Sequence, residues 1–501
     1  MKKKWQKNIL VYTVFLAISL LVFWPVFHKN FVSDDFQVLY RIAIQRIFFI
    51  KGFFRPLSDI SLYGSYLMGG FNPFYYNIVN IFIHAGNAFL LYCFCMQYQF
   101  AGSKNAESFS FLTAFMFLIY PFHNEAVVWA IGRGIVLSGF FGFLSLLVVF
   151  LKISNRSKYI FSCLFYFISL CGYETALPLP LIILLFLYTK DNSFAKLIKP
   201  ALGYFLTLLL NLLLRFKVAG VIVGGYGNSI FSCSAREYAI KFLKSAGRLF
   251  LPPSEFSFLL SGLFILLGIG AAISAIIIVK KRNVASKIFL AITMATILSF
   301  IIPSAFGIST KTYEGDRIFY FSSFFLCLWI VYQLSLIQNE KIRTGVSFFV
   351  AGYFLLFFFQ SLMNWKNGAA VSDRIISTIG HLKRGSGRIY ILNIPEEYNG
   401  AQVLRNGFYQ ALLINNIDTA GIKPVNYLSS EYAFKMAGDI RVKEEGEKQI
   451  IYPFADISGD TLTARIWNNK KNNDSVYIKL NAVDKIYYWN KKSLVVVAKP
   501  Q

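Results

Sequence analysis

A pair of adjacent carboxylates, Asp34 and Asp35, follows the first long apolar run of the chain and precedes Phe36. A carboxylate at such a position can act as a general base, while its neighbour binds a partner or caps the following segment. Adjacent side chains of an extended chain point in different directions, so one site can rarely use both equally. Ser33-Asp34-Asp35 is also typical of a helix N-cap, and these residues by themselves favour the capping interpretation.

A second group, His123 and Glu125, follows a short apolar run and precedes Trp129. An imidazole and a carboxylate two residues apart can share a metal ion from a turn or an extended segment. The alternative is an interfacial loop in which Trp129 anchors the chain at the membrane surface. The pair alone does not decide between them.

Guanidinium groups recur near the ends of apolar runs, at Arg55, Arg133, Arg215 and Arg317. Arginine binds phosphate in a bidentate manner and keeps its charge in a partly dry site. A lipid-linked phosphate lies at the headgroup level, where these residues are expected. For any single arginine, contact with ordinary phospholipid headgroups is the simpler explanation.

The second apolar run contains four polar residues, Asn77, Asn80, His84 and Asn87, at spacings of three and four. These spacings place all four on one face of a helix. Polar side chains are costly in lipid, so this face should contact other helices or a cavity. Interhelical hydrogen bonding is the preferred interpretation for the three asparagines, and His84 remains open as a ligand.

The elements that must position these residues are membrane-spanning helices. The chain has 501 residues and is 56% hydrophobic, with a mean hydropathy of +0.53, which is more apolar than a typical soluble domain. The first run is long and lacks a small-residue cleavage site, so we expect an uncleaved helix. The apolar runs predict eleven spans, at 8–28, 72–97, 109–122, 134–151, 159–173, 175–189, 200–218, 257–279, 288–306, 318–337 and 345–362.

The loops between these spans segregate by charge. Basic residues dominate every second loop, whereas acidic residues gather in the others, so the N-terminus is predicted inside and the C-terminus outside. The net charge of +25 is dispersed between apolar runs, which argues against nucleic-acid binding. The six cysteines form neither a disulfide framework nor a zinc-ligand spacing, and only Cys233 falls in a predicted loop.

The C-terminal part has the character of a soluble domain. Alternating segments at 388–394, 474–480 and 492–498 predict strands, and 403–415 predicts a helix. The sequence therefore predicts a transmembrane domain over 1–363 and a small α/β or α+β domain over 364–501, outside the membrane.

The order of these motifs resembles the GT-C superfamily of membrane glycosyltransferases, and in particular the bacterial relatives of the tetratricopeptide-containing protein O-mannosyltransferases. The resembling segments are 34–36, 54–57, 67–73, 77–88, 120–133, 173–174, 251–253 and 316–320. The resemblance implies a polytopic helical enzyme of the bacterial inner membrane. Such an enzyme takes a sugar from a polyprenyl-phosphate carrier, with inversion, at the extracytoplasmic face.

The resemblance also implies roles for individual residues. Asp34 or Asp35 would be the base. The donor phosphate would bind Arg317 or Arg133, and Arg55 is the lower-ranked candidate for this contact. Further candidates for acceptor or metal binding are His123, Glu125, Glu174 and His84. Metal dependence stays open, and Asp35, His123 and Glu125 are the ligands if a divalent metal is bound.

Some features of the family are missing or undetermined. The tetratricopeptide array is absent, so the acceptor, whether protein, glycan or lipid, cannot be carried over, and Gly134-Ile135 stands where the family usually has a charged residue. A transporter or flippase remains an alternative, although such proteins usually place ionisable residues near mid-membrane. A polysaccharide polymerase or ligase would share the arginines, and a non-catalytic membrane scaffold is the remaining alternative.

Overall fold

A computed structural model describes most of the chain in two compact units. The described residues are 2–100, 102–222, 234–253, 268, 272, 284–383, 385–428, 442–445, 448–451, 455–467, 473–490 and 492–497. The first unit comprises Met1–Phe27 and Arg46–Leu362, and the second comprises His28–Gln45 and Met363–Gln501. The predicted division of the chain between residues 363 and 364 stays a prediction.

The first unit is built from helices, and the second unit contains helices as well as strands. We number the helices of both units together, in chain order. The α-helices are α1 (Lys2–Phe23), α2 (Asp34–Ala43), α3 (Pro56–Gly69), α4 (Pro73–Tyr98), α5 (Gly102–Leu118), α6 (Asn124–Val128), α7 (Arg133–Val149), α8 (Asn155–Leu170), α9 (Leu179–Asp191), α10 (Ile198–Ala219), α11 (Ala235–Arg248), α12 (Val284–Phe306), α13 (Tyr320–Ser335), α14 (Glu340–Gly380) and α15 (Phe408–Ile414). Within the first unit α4 packs against α1, α5 and α7.

Local sequence explains where α4 begins. Asn72 occupies the N-cap position, and its side chain accepts a hydrogen bond from the Phe74 N–H at 3.1 Å. Pro73 at the first helical position has no N–H to leave unpaired. The helix ends at Tyr98, and the following residue, Gln99, adopts a left-handed conformation.

Seven helices of the described part are long and apolar enough to cross a membrane, so the chain is a multi-pass membrane protein. They are Trp5–Val26, Pro73–Tyr98, Ala130–Val149, Ala195–Ala219, Ser286–Phe306, Asp316–Ser335 and Glu340–Gly380. A broken pair, Asn105–Leu118 and Pro121–Val128, bends by 48° and would make an eighth. Pro121 explains the break, because proline cannot donate the backbone hydrogen bond that a continuous helix needs.

The predicted count of eleven spans is not confirmed. The predicted spans 159–173 and 175–189 correspond to α8 and α9, which have 16 and 13 residues and are shorter than about 20 residues. Hydropathy alone does not separate such short helices from full spans. The predicted span 257–279 lies outside the described residues, apart from the isolated positions 268 and 272.

The second unit contains the strands. They are β1 (Ile389–Leu392), β2 (Ile394–Pro395), β3 (Glu397–Tyr398), β4 (Ala401–Gln402), β5 (Ile422–Pro424), β6 (Tyr427–Leu428), β7 (Val442–Glu445), β8 (Lys448–Ile451), β9 (Ala455–Ser458), β10 (Thr461–Trp467), β11 (Asn473–Lys479), β12 (Lys485–Trp489) and β13 (Leu494–Val497). The predicted strands and the helix near 403–415 are confirmed, the helix as the shorter α15.

These strands form a mixed sheet and an antiparallel sheet. The mixed sheet has the order β13-β12-β1-β5, with β1 parallel to both of its neighbours. The other has the order β11-β10-β9-β8-β7, and two short pairs, β2-β6 and β3-β4, complete the pairing. Ile457, Leu462 and Leu480 belong to the buried core of this unit. The predicted fold class, a polytopic helical membrane protein with a small C-terminal domain of mixed α and β structure, is confirmed.

Candidate active site

Asp34 and Asp35 form the first turn of α2, which belongs to the second unit. The helix begins directly after Ser33, as the N-cap interpretation predicts, but the Ser33 side chain makes no capping bond within the helix. Its hydroxyl oxygen instead accepts a bond from the Asn406 N–H at 3.3 Å. Both carboxylates lie at the positive end of the helix dipole, which favours negative charge.

The two carboxylates have different surroundings. Asp34 is half-buried, and its Oδ1 accepts a hydrogen bond from Nδ2 of Asn406 at 2.5 Å. Asp35 is fully buried, and its Oδ2 accepts a bond from the Val32 N–H at 3.1 Å. Burial lowers the pKa of Lys29 to about 8, and the charge of Asp35 opposes that shift. Asp35 therefore interacts with two groups of the segment before the helix, the Val32 N–H and the charge of Lys29.

Arg133, the first residue of α7 in the first unit, is fully buried and held by four hydrogen bonds. Its Nε donates to Oδ1 of Asn80 at 2.7 Å, and its Nη2 donates to the Tyr76 carbonyl at 2.7 Å. Its Nη1 donates to the Ser61 carbonyl at 2.9 Å and to the Ser65 hydroxyl at 2.6 Å. This guanidinium joins three helices and is shielded from solvent.

The polar face of α4 binds other helices, as the spacing predicts. The Asn77 amide donates to the Val26 and Phe27 carbonyls, and the Asn80 amide donates to the Val127 and Trp129 carbonyls. The Asn87 amide donates to the Val136 carbonyl at 3.0 Å and to the Tyr320 hydroxyl at 2.8 Å. Interhelical bonding is thus confirmed for the three asparagines.

The two histidines of the first unit lie in one aromatic cluster. Nε2 of His84 bonds the Leu118 carbonyl at 3.1 Å and Nδ1 bonds the Tyr320 hydroxyl at 2.7 Å. Nε2 of His123 bonds the Ser323 hydroxyl at 2.6 Å, and its ring centroid lies 4.6 Å from that of Tyr320. Both side chains are fully buried in this cluster, and their predicted roles in acceptor or metal binding stay predictions.

Two adjacent ion pairs fix the turn before α13, a 3-10 helix at Asp316–Phe319. Glu125 accepts the Arg317 backbone N–H at 2.7 Å and also binds its guanidinium, which lies over the Trp129 ring at 4.9 Å. The neighbouring carboxylate, Asp316, binds Nη2 of Arg248 at 2.5 Å. The side chains of Glu125, Asp316 and Arg248 are fully buried. The Arg317 side chain remains 17% exposed.

A third charged group surrounds Glu174, which begins a 3-10 turn between α8 and α9. One of its oxygens accepts Nη1 of Arg215 at 2.6 Å, and the other lies 3.6 Å from Nη2 of Arg55. Burial alone would raise the pKa of Glu174, but the two guanidiniums hold it below its usual value. Arg55 is 24% exposed, and its guanidinium covers the Tyr173 ring at 4.1 Å.

The predicted site residues therefore fall into separate groups. Glu125 lies with Arg317 and Glu174 lies with Arg55 in the first unit, whereas Asp34 and Asp35 belong to the second unit. In the described part of the chain, no group of three or more His, Cys, Asp or Glu side chains could hold a metal ion.

Sequence reasoning missed two residues that contact these groups. Arg248 closes α11 and pairs with Asp316, and its only local signal is the nearby motif 251–253. Asn406 binds Asp34 from a position 372 residues further along the chain, and nothing in its neighbourhood indicates that role.

Sequence comparison places the chain beside protein O-mannosyl-transferases. It is 33% identical over 103 residues to Protein O-mannosyl-transferase tmtc2 of Xenopus laevis, which is 21% of this chain and 12% of that protein. It is 35% identical over 85 residues to Protein O-mannosyl-transferase TMTC1 of Mus musculus, which is 17% of this chain and 9% of that protein. The chain thus matches only a small part of the length of these relatives. The resemblance predicted from the motifs is confirmed as sequence similarity over that part.

No protein-family model matches the chain. Crystal structures of ArnT from Cupriavidus metallidurans align with 85% of this chain and 90% of theirs. The form bound to undecaprenyl phosphate is 11% identical with a TM-score of 0.46, and the apo form is 12% identical with a TM-score of 0.47.

Proposed function

We propose that this protein is a membrane glycosyltransferase that moves a sugar from a polyprenyl-phosphate carrier to an acceptor on the extracytoplasmic face of a bacterial inner membrane. The similarity to proteins named O-mannosyl-transferases carries the proposal. The multi-pass helical unit supports it, because a lipid-linked donor must be reached from the membrane. The acceptor is a protein hydroxyl, a glycan or a lipid.

Asp34 is the proposed base. In an in-line displacement the acceptor oxygen attacks the anomeric carbon, the bond from that carbon to the phosphate oxygen breaks, and the configuration inverts. The acceptor proton passes to a carboxylate, and the lipid phosphate leaves with the electron pair. Asp34 fits this role better than Asp35 because it is half-buried, whereas Asp35 is fully buried and bound to the backbone.

Arg55 and Arg317 are the proposed contacts of the donor phosphate. A phosphate arriving from the membrane can meet only a guanidinium that is partly exposed, and these two are 24% and 17% exposed. Arginine stabilises the charge that develops on the leaving phosphate without giving up a proton. Arg133 is fully buried among protein acceptors, so we assign it to the structure of the helical unit.

Reconstituted protein tests the proposed function directly. The protein in liposomes is given polyprenyl-phosphate-linked sugars, and acceptors from the envelope are analysed by mass spectrometry with and without it. We expect a sugar to appear on one acceptor class with inverted anomeric configuration. Movement of the intact lipid-linked sugar across the bilayer without transfer would instead make the protein a flippase and would overturn the proposal.

The Arg55→Ala variant is expected to use the lipid donor poorly. Loss of a hydrogen bond to a charged group is worth about 1.5–3 kcal/mol, which corresponds to a rise of roughly 10- to 100-fold in the donor KM or an equal fall in kcat/KM. The measurement is a donor titration at saturating acceptor. Arg343→Ala is the matched control, since Arg343 pairs with Glu340 at 3.8 Å on an exposed surface. An unchanged donor KM and kcat in Arg55→Ala would remove Arg55 from the phosphate site.

A further inference from the structure

A loop of the C-terminal domain binds the segment that carries the carboxylate pair. The Ser33 N–H donates to the Val403 carbonyl at 2.9 Å, and the Asn406 N–H donates to the Ser33 hydroxyl oxygen at 3.3 Å. The Asn406 side chain then donates to Oδ1 of Asp34 at 2.5 Å. All of these contacts lie within the second unit. Three bonds from one short loop thus fix the start of α2.

The backbone at this contact is unusual on both sides. Ser33 has φ 45° and ψ −120°, a conformation that costs a residue with a side chain of order 1–3 kcal/mol. Gly407 has φ +77°, and a Cβ added there would lie 3.0 Å from the Ser33 carbonyl oxygen and 3.1 Å from the Gln37 nitrogen. A glycine is therefore needed for the loop to approach this closely. Such strain is retained where surrounding contacts enforce it, often at functional sites.

We propose that Asn406 is a positioning residue that orients the Asp34 carboxylate for proton transfer, so that the C-terminal domain completes the catalytic motif. The inference rests on the proposed function of Asp34. The Asn406 amide engages Oδ1 and restrains rotation of the carboxylate, which leaves Oδ2 to take the acceptor proton. A neutral amide suits this task, because a cationic partner would make the carboxylate a weaker base.

This arrangement gives the C-terminal domain a role in the chemical step. A polar partner of Asp34 comes from the loop that joins β4 to α15. A hydrogen bond restricts the orientations of a carboxylate, and orientation contributes strongly to the rate of proton transfer. The domain therefore acts on the turnover step more than on donor binding.

The test compares Asn406→Ala and Asn406→Asp with the wild type in the reconstituted transfer assay. We expect kcat to fall about 10- to 100-fold in Asn406→Ala, the range for a lost hydrogen bond to a charged group. A larger fall is expected in Asn406→Asp, where a carboxylate faces Asp34. The donor KM should stay within about twofold, and Asn406→Gln should recover part of kcat because it keeps the amide.

Asn415→Ala is the matched control, because the Asn415 amide donates to the Ala411 carbonyl at 2.8 Å in the same unit and does not contact Asp34. It should retain the wild-type kcat, which separates positioning from general loss of domain stability. If the wild type is active and Asn406→Ala matches it, the inference fails while the proposed function stands. If Asn406→Ala and Asn415→Ala lose activity equally, the role is structural and the inference also fails. If the wild type transfers no sugar, both fail together.

Discussion

Asp34→Asn is expected to lower kcat for sugar transfer by about 10²- to 10⁴-fold, the usual contribution of a general base. The substitution keeps the size of the side chain and an oxygen that can accept the Asn406 amide bond, so folding should be little affected. Because the change removes the group that accepts a proton in the transition state, kcat should fall while the donor KM stays nearly constant. Single-turnover transfer from a polyprenyl-phosphate sugar measures this step.

Asp35→Asn is the matched control, since it makes the same chemical change one residue away. Asp35 is fully buried and binds the Val32 N–H, and its charge acts on the buried Lys29. Loss of that charge should lower the free energy of unfolding by about 1–3 kcal/mol, while folded protein keeps most of its transfer rate. The opposite pattern, with Asp34→Asn fully active and Asp35→Asn inactive though folded, would assign the base to Asp35.

Features with a local period could be predicted from the sequence. The spacing of Asn77, Asn80, His84 and Asn87 identifies one helix face, and lipid cannot satisfy such polar groups, so their burial against other helices follows. Apolar length predicts the long spans for the same reason. The helix start at Asp34 also follows from local residue types, although the bonds that the Ser33 side chain makes do not.

Partners distant in sequence could not be predicted. Glu125 and Arg317 are 192 residues apart, and Asp34 and Asn406 are 372 apart, so no local pattern links them. The sequence ranks the arginines by motif alone, whereas their exposure depends on packing. The resemblance ranks Arg133 ahead of Arg55 as a phosphate contact, yet Arg133 is fully buried and Arg55 is the more exposed side chain.

The ion pair between Arg248 and Asp316 should dominate the stability of the helical unit at its α13 end. Both side chains are almost completely buried, and Nη2 lies 2.5 Å from Oδ1. Among the described residues Oδ2 of Asp316 has no hydrogen-bond partner, and Arg248 compensates the charge of Asp316 more than Arg317 does. Removing one partner of a buried pair typically costs about 3–5 kcal/mol, because the other charge remains buried and unpaired.

Arg248→Met is therefore expected to lower the thermal unfolding midpoint in detergent far more than a surface pair would. The control is Glu107→Gln, which breaks the exposed pair of Lys7 and Glu107 at 2.6 Å and should cost less than about 1 kcal/mol. The double variant Arg248→Met with Asp316→Asn removes both charges and should recover much of the loss, since no charge is then left buried without its partner. A double variant as unstable as the sum of its single variants would show that the two residues act independently. In that case, the lost Arg248 bonds to the Ser309 and Leu251 carbonyls would account for its share of the stability.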